Sequence, residues 1–181
     1  MKPEVLQSEI VFQGKVFTVR RDAVRLPNGR VAHLDIIAHH GAVTMLPIDA
    51  EGNVWFVRQY RHAAGETILE LPAGTLEPGE PPEVCAAREL QEEIGMAAEN
   101  LTLLGEFYLA PGYSTEHQYI YLATGLTPSS LPQDADEILE PVAFPYEEVV
   151  KMAREGKIRD AKTLAALFLA AARGVVELVG R

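Results

Sequence analysis

Gly74-Thr75-Leu76-Glu77-Pro78-Gly79-Glu80 leads through Pro81-Pro82-Glu83-Val84-Cys85-Ala86-Ala87 into Arg88-Glu89-Leu90-Gln91-Glu92-Glu93-Ile94-Gly95-Met96. From Pro81 to Ile94 the pattern is helical: Val84, Ala87, Leu90 and Ile94 recur on one side, prolines open the first turn and Gly95 closes the last. Glu89, Glu92 and Glu93 stand three and four positions apart and so share a helix face. Like charges at that spacing disfavour a helix by a few tenths of a kcal/mol each. Glu92 and Glu93 also fall in the last turn, where the partial negative charge of the helix end repels them. A solvated acidic face is the ordinary reading of such a run. The competing reading is a divalent cation, which turns the repulsion into coordination. Hard carboxylate oxygens with room for water and phosphates suit Mg²⁺, with Mn²⁺ as a substitute.

The segments on either side of this helix read mainly as strands. Ile10–Phe12, Val16–Leu26 and Val31–Ala38 have strand character, the last two forming a hairpin over Pro27-Asn28-Gly29-Arg30. Ala42–Pro47 and Val54–Tyr60 follow, joined by Asp49-Ala50-Glu51-Gly52-Asn53, and Thr67–Leu71 is a further short strand. Strands resume at Leu101–Leu109 and Gln118–Ala123, and helices are expected at Tyr146–Glu155 and from Ala161 to about Leu178. Mixed strands, one central helix, more strands and terminal helices predict an α/β protein in which helices sandwich a mixed sheet. An antiparallel β segment precedes it.

The chain has 181 residues, 48% hydrophobic and 23% charged, which describes one ordinary globular core with room for a small appendage. A formal net charge of −10 disfavours long nucleic acids, which dock against basic surfaces, so no nucleic-acid partner is expected. No run approaches membrane-spanning length, and Met1–Arg20 lacks the continuous apolar stretch of a secretory signal, so no membrane partner is expected either. Cys85 is the single cysteine, which rules out an internal disulfide and points to the cytoplasm. Its expected role is that of a small buried hydrophobe. No histidine pair has ligand-like spacing that would outrank the carboxylates.

The acidic segment resembles the Nudix box: a Gly, five free positions, a Glu, seven free positions, then Arg-Glu-aliphatic-x-Glu-Glu-x-Gly-aliphatic, filled here by Gly74, Glu80, Arg88, Glu89, Leu90, Glu92, Glu93, Gly95 and Met96. Every fixed position is occupied, which makes the match specific. The resemblance implies a Nudix-type α/β/α sandwich and hydrolysis of a nucleoside diphosphate linked to another group. It implies metal ligation by Glu89, Glu93 and the Ala73 carbonyl, with Glu92 as a secondary ligand or support. Arg88 would hold the glutamates and Glu80 would brace the loop.

Three further stretches make the chain resemble the ADP-ribose pyrophosphatase branch. The first is Arg58-Gln59-Tyr60-Arg61 with Glu70-Leu71-Pro72-Ala73-Gly74, and the second is Ala110-Pro111-Gly112-Tyr113-Ser114, with Pro111 sixteen positions after Gly95. The third is Gly156-Lys157-Ile158-Arg159-Asp160-Ala161-Lys162-Thr163. The branch implies substrate contacts from Arg61 ahead of Arg58, and from Glu70, Pro111 and Gly112. Asp134-Ala135-Asp136-Glu137 lies where the branch brings an additional acid, and Glu137 is favoured over Asp136, with Glu116 as another candidate. Residues 1–40 are expected to build a homodimer and 41–181 to form the hydrolase domain. The expected substrate is a small nucleotide sugar, ADP-ribose, giving AMP and ribose 5-phosphate. The rivals are another nucleotide sugar such as GDP-mannose, and a non-catalytic ADP-ribose sensor.

Overall fold

A computed structural model describes residues 2–133 and 138–175 and divides the chain into two compact units. Met1–Gly41 and Phe107–His117 form the first; Ala42–Glu106 and Gln118–Arg181 form the second.

In the first unit β1 (Glu4–Gln13), β2 (Thr18–Arg25) and β3 (Val31–Ala38) make an antiparallel sheet in that order. The β2–β3 hairpin closes where the sequence predicts, with Leu26 N–H donating to the Arg30 carbonyl at 2.8 Å. Strand β1 is longer than the expected Ile10–Phe12, because pairing with β2 runs from Glu4↔Arg25 to Gln13↔Thr18. Cross-strand charges fix the register: Arg25 binds Glu4 at 2.8 Å and Arg21 binds Asp35 at 2.7 Å. Buried Asp22 accepts from the Ser8 hydroxyl at 2.6 Å and from Arg20 at 3.1 Å. Along β1, by contrast, Val5, Leu6, Ile10, Val11 and Phe12 are exposed.

The second unit holds β4 (Ala42–Pro47), β5 (Asn53–Arg61), β6 (Glu66–Glu70), β7 (Ala73–Thr75), α1 (Pro82–Glu93), β10 (Leu139–Pro145), α2 (Tyr146–Arg154) and α3 (Ala161–Ala172). Strands β8 (Met96–Tyr108) and β9 (His117–Pro128) complete a four-stranded sheet ordered β7-β4-β9-β8. It is mixed, as expected, since β4 runs parallel to β9 and antiparallel to β7. A second, antiparallel sheet is ordered β10-β5-β6. Every residue of β4 is buried, the mark of a strand covered on both faces. Val43 and Met45 pack with Cys85, Ala86, Leu90 and Ile94 of the α1 segment and with Tyr121 and Ala123 of β9. Helix α3 also packs on β4, while α2 packs on β5 and β10.

Other details also depart from the sequence reading. Strand β7 is three residues long, too short for a periodic signal. Strand β10 contains Pro141 and Pro145, which mark a run as non-strand unless it lies at an edge, and β10 is indeed an edge of its sheet. Helix α1 is turned: its buried face is Cys85, Ala86, Glu89, Leu90 and Glu93, and Val84 is exposed. The expected apolar stripe therefore held for Leu90 and Ile94 only, because the carboxylates share the inward face. Helix α3 stops at Ala172, short of Leu178, where Gly174 adopts φ +70° and Val175 N–H donates to the Ala170 carbonyl at 3.0 Å.

Candidate active site

Helix α1 starts at a proline pair whose missing N–H groups fall where a helix has no use for them. Its working side chains gather on the loop that precedes it. Arg88 grips Glu80 with two bonds, Nε to Oε1 at 3.1 Å and Nη2 to Oε2 at 3.2 Å. Through Nη1 it also donates to Glu89 at 2.7 Å and to Glu92 at 2.8 Å. Glu80 Oε2 accepts from the Glu77 N–H at 2.9 Å as well, so the loop is cinched against the helix. The Arg88 guanidinium holds the Glu80 carboxyl below its usual range despite burial, and Glu80 in turn raises the Arg88 pKa further. Charge-assisted bonds of this kind are each worth about 1.5–3 kcal/mol.

The two glutamates expected to bind metal are the buried ones, with Glu89 at 8% and Glu93 at 3% exposure. Glu93 Oε2 accepts from the Ala73 N–H at 2.9 Å. Glu89 lies close against Gly74, where an added Cβ would overlap the carboxylate itself. Gly74 is thus required by close approach. Behind them Cys85 is fully buried, its Sγ 3.6 Å from the Thr75 carbonyl, and burial pushes the thiol pKa far up, consistent with an inert hydrophobe.

Three carboxylates share the Arg88 guanidinium, and Glu93 adds a fourth on the same helix. Such a set of hard oxygen donors fits Mg²⁺ or Mn²⁺ in kind. Among the described residues, no group of three or more His, Cys, Asp or Glu side chains is drawn together around a common point. Mg²⁺ does not demand one, since it keeps several waters and is held by one or two carboxylates plus substrate phosphates.

Arg61, at the end of β5, makes a two-bond pair with Glu70 of β6, at 2.7 Å and 3.0 Å. Glu70 is almost wholly buried and also meets Lys162 at 3.3 Å. Arg58 is more exposed and reaches Glu140 of β10 at 3.5 Å. The second unit therefore carries Arg58, Arg61, Glu70, Ala73, Glu80, Arg88, Glu89, Glu92 and Glu93. Pro111 and Gly112 belong to the first unit, in an exposed turn where Tyr113 and Ser114 N–H groups both donate to the Ala110 carbonyl. Half-buried Glu116 lies beside them, its N–H bound to the Ser114 hydroxyl at 3.1 Å. Asp136 and Glu137 lie outside the described residues.

No sequence pattern assigns Asp160, Lys162 or Thr163 a role at the site, yet Lys162 and Thr163 bond to Glu70 and Leu71, and Asp160 holds both. Their signal was an acidic cap three residues before a threonine, followed by an apolar run.

The NUDIX domain matches residues 38–167, and the nucleoside diphosphate sugar hydrolase N-terminal domain matches residues 4–33. The chain belongs to the Nudix family. Nudix hydrolases generally use a divalent metal. The sequence is 37% identical to an ADP-ribose pyrophosphatase of Bacillus subtilis (strain 168), over 92% of this chain and 91% of that one. It is 38% identical to an ADP-ribose pyrophosphatase of Mycobacterium tuberculosis (strain ATCC 25618 / H37Rv), over 91% of this chain and 81% of the relative. A crystal structure of an ADP compounds hydrolase superposes with a TM-score of 0.85 at 29% identity, covering 100% of this Nudix chain and 97% of the other.

Proposed function

We propose that this Nudix hydrolase cleaves the pyrophosphate bond of ADP-ribose with Mg²⁺, taking up one water and releasing AMP and ribose 5-phosphate. The observation that carries the reading is the buried pair Glu89 and Glu93, seated on the Gly74 and Ala73 backbone beside an arginine-bound acidic cluster. Similarity to ADP-ribose pyrophosphatases over more than nine-tenths of the chain supports the choice of substrate.

In this reading Glu89, Glu93 and the Ala73 carbonyl hold the cation, and Glu92 supports them. A divalent ion bound there would screen the pyrophosphate charge and make a water a stronger nucleophile. Arg88 and Glu80 keep the carboxylates oriented before the ion arrives. Arg61 and Arg58 meet the anionic substrate, with Glu70 holding Arg61. An acid of the 134–137 segment, Glu137 ahead of Asp136, takes the proton of the attacking water, a role typically worth about 10² to 10⁴ in rate.

Residues 1–40 serve as a dimerisation segment and 41–181 as the catalytic domain. The exposed apolar side chains of β1 support a homodimer, because an apolar patch of this kind marks an interaction surface. A cytoplasmic location is supported by the single buried thiol. No described helix is long and apolar enough to cross a membrane.

Product analysis on ADP-ribose, GDP-mannose and dinucleoside polyphosphates tests the proposal. AMP and ribose 5-phosphate, formed with the highest kcat/KM of the panel and only with divalent metal, are expected. A preference for GDP-mannose would move the enzyme to another substrate, and tight ADP-ribose binding without turnover in saturating Mg²⁺ would make it a sensor.

A further inference from the structure

The first turn of α3 carries three polar side chains that the proposed chemistry leaves idle. Asp160 caps the helix, its Oδ2 accepting from the Thr163 N–H at 2.8 Å and from the Thr163 hydroxyl at 2.7 Å. Thr163 Oγ1 accepts in turn from the Leu71 N–H at 2.9 Å. Lys162 Nζ reaches Asp160 Oδ1 at 2.6 Å and Glu70 Oε2 at 3.3 Å. Two consecutive residues of the strap that enters the Nudix box are therefore gripped by α3, Glu70 through its side chain and Leu71 through its backbone. Arg159, one residue before the cap, pairs with Glu66 at the other end of β6.

Helix formation does not explain Lys162. A lysine in the first turn faces the positive end of the macrodipole, and its side chain is only 17% exposed. The same Asp160 cap would form with alanine at that position. What Lys162 adds is a second cation on Glu70, whose two oxygens already hold Arg61. With Glu70 pinned from the α3 side, the carboxylate cannot follow the guanidinium when an anion pulls on it.

We infer that Lys162, backed by Asp160 and Thr163, is a positioning residue for substrate: it clamps Glu70 so that the Glu70-bound guanidinium of Arg61 stays where the nucleoside diphosphate group binds. The inference rests on the proposed substrate contact of Arg61. Misplacing a binding group by about 1 Å costs up to about a hundredfold, so loosening one of two anchors has a measurable effect.

The test is Lys162→Met in the full chain, measured by steady-state kinetics on ADP-ribose in saturating Mg²⁺ and by calorimetric binding of the non-hydrolysable α,β-methylene analogue. KM and the analogue dissociation constant should both rise about tenfold while kcat stays within about threefold, and Lys162→Arg should recover most of the loss. Adding Lys162→Met to Arg61→Gln should raise KM little beyond Arg61→Gln alone, since both changes break one arrangement. A folded Lys162→Met protein with a lower melting temperature but unchanged KM and analogue affinity would overturn the inference, leaving the lysine a structural role only. If Arg61→Gln also leaves KM unchanged, the substrate reading of Arg61 fails and takes the inference with it. If Arg61→Gln raises KM and Lys162→Met does not, the inference alone fails. Should Lys162→Met not fold, Asp160→Asn carries the test, because asparagine keeps the cap while weakening the lysine anchor. Its KM should rise about threefold, and an unchanged KM would again overturn the inference.

Discussion

Helix α1 and strand β1 break the usual partition of side chains in opposite directions. On α1, Glu89 and Glu93 are carboxylates withdrawn from water, with Leu90 between them in the core. On β1, Ile10 and Phe12 are large apolar groups left in it, at 66% and 56% exposure. Burying a charge and exposing an apolar patch both cost free energy unless something offsets them. On α1 part of the offset is visible, in the Arg88 and Ala73 N–H bonds. On β1 the exposed apolar residues stand beside the Arg25–Glu4 pair, and among the described residues no partner covers them. On the proposed reading, the difference teaches that a site for a small ion is largely built in advance, whereas a site for a second surface is left open.

The sharpest way to break the α1 half is Glu93→Gln, which keeps size and shape but removes the charge. It is expected to lower kcat by more than about a hundredfold, the scale of losing one charge-stabilising group, with folding intact by circular dichroism. Near-normal turnover would return the acids to an ordinary charged face. Gly74→Ala comes next, because its methyl must displace the Glu89 carboxylate. Activity should fall about ten- to a hundredfold with a metal activation constant shifted upward, the size seen when ligand support is lost. For β1, Ile10→Lys should raise the dimer dissociation constant by about tenfold or more, read by sedimentation, while changing the stability of one subunit by less than about 0.5 kcal/mol. No change in association would mean that this strand meets no partner.

The smallest expected effect is Asp160→Ala, at about 1 kcal/mol by chemical denaturation, from the lost cap. Burial alone would raise the Asp160 carboxyl, but Lys162 and the Thr163 hydroxyl and amide outweigh it and hold it below the usual value. The lowered folded pKa makes this stabilisation fully present above the unfolded value of about 3.9 and lost as pH falls through the folded one. The gap between the two proteins should therefore narrow below about pH 4.

The box was legible because every fixed position of the Nudix pattern is filled, from Gly74 to Met96, whereas the acidic spacing alone reads as a solvated face. The hairpin over Asn28-Gly29 was legible from turn residues alone. The inward face of α1 was not, because reading it from apolar residues places Val84 inside and the glutamates outside, and a site that buries charge inverts that rule. Strand β10 was hidden by its prolines, which an edge strand tolerates. The α3 clamp joins residues ninety-two positions apart in sequence, Glu70 with Lys162 and Leu71 with Thr163, so only the folded chain brings them together.

Cys85 sits on the inward face of the helix that carries the acids, fully buried, with its sulfur 3.4 Å from the Arg88 guanidinium. The molecule thereby contains a built-in clock. A thiol-reactive dye in excess can label it only when α1 lifts from β4 and β7, so the labelling rate counts those openings without any engineered probe. Cation and substrate that bind only the closed form should slow the colour change in proportion to their occupancy.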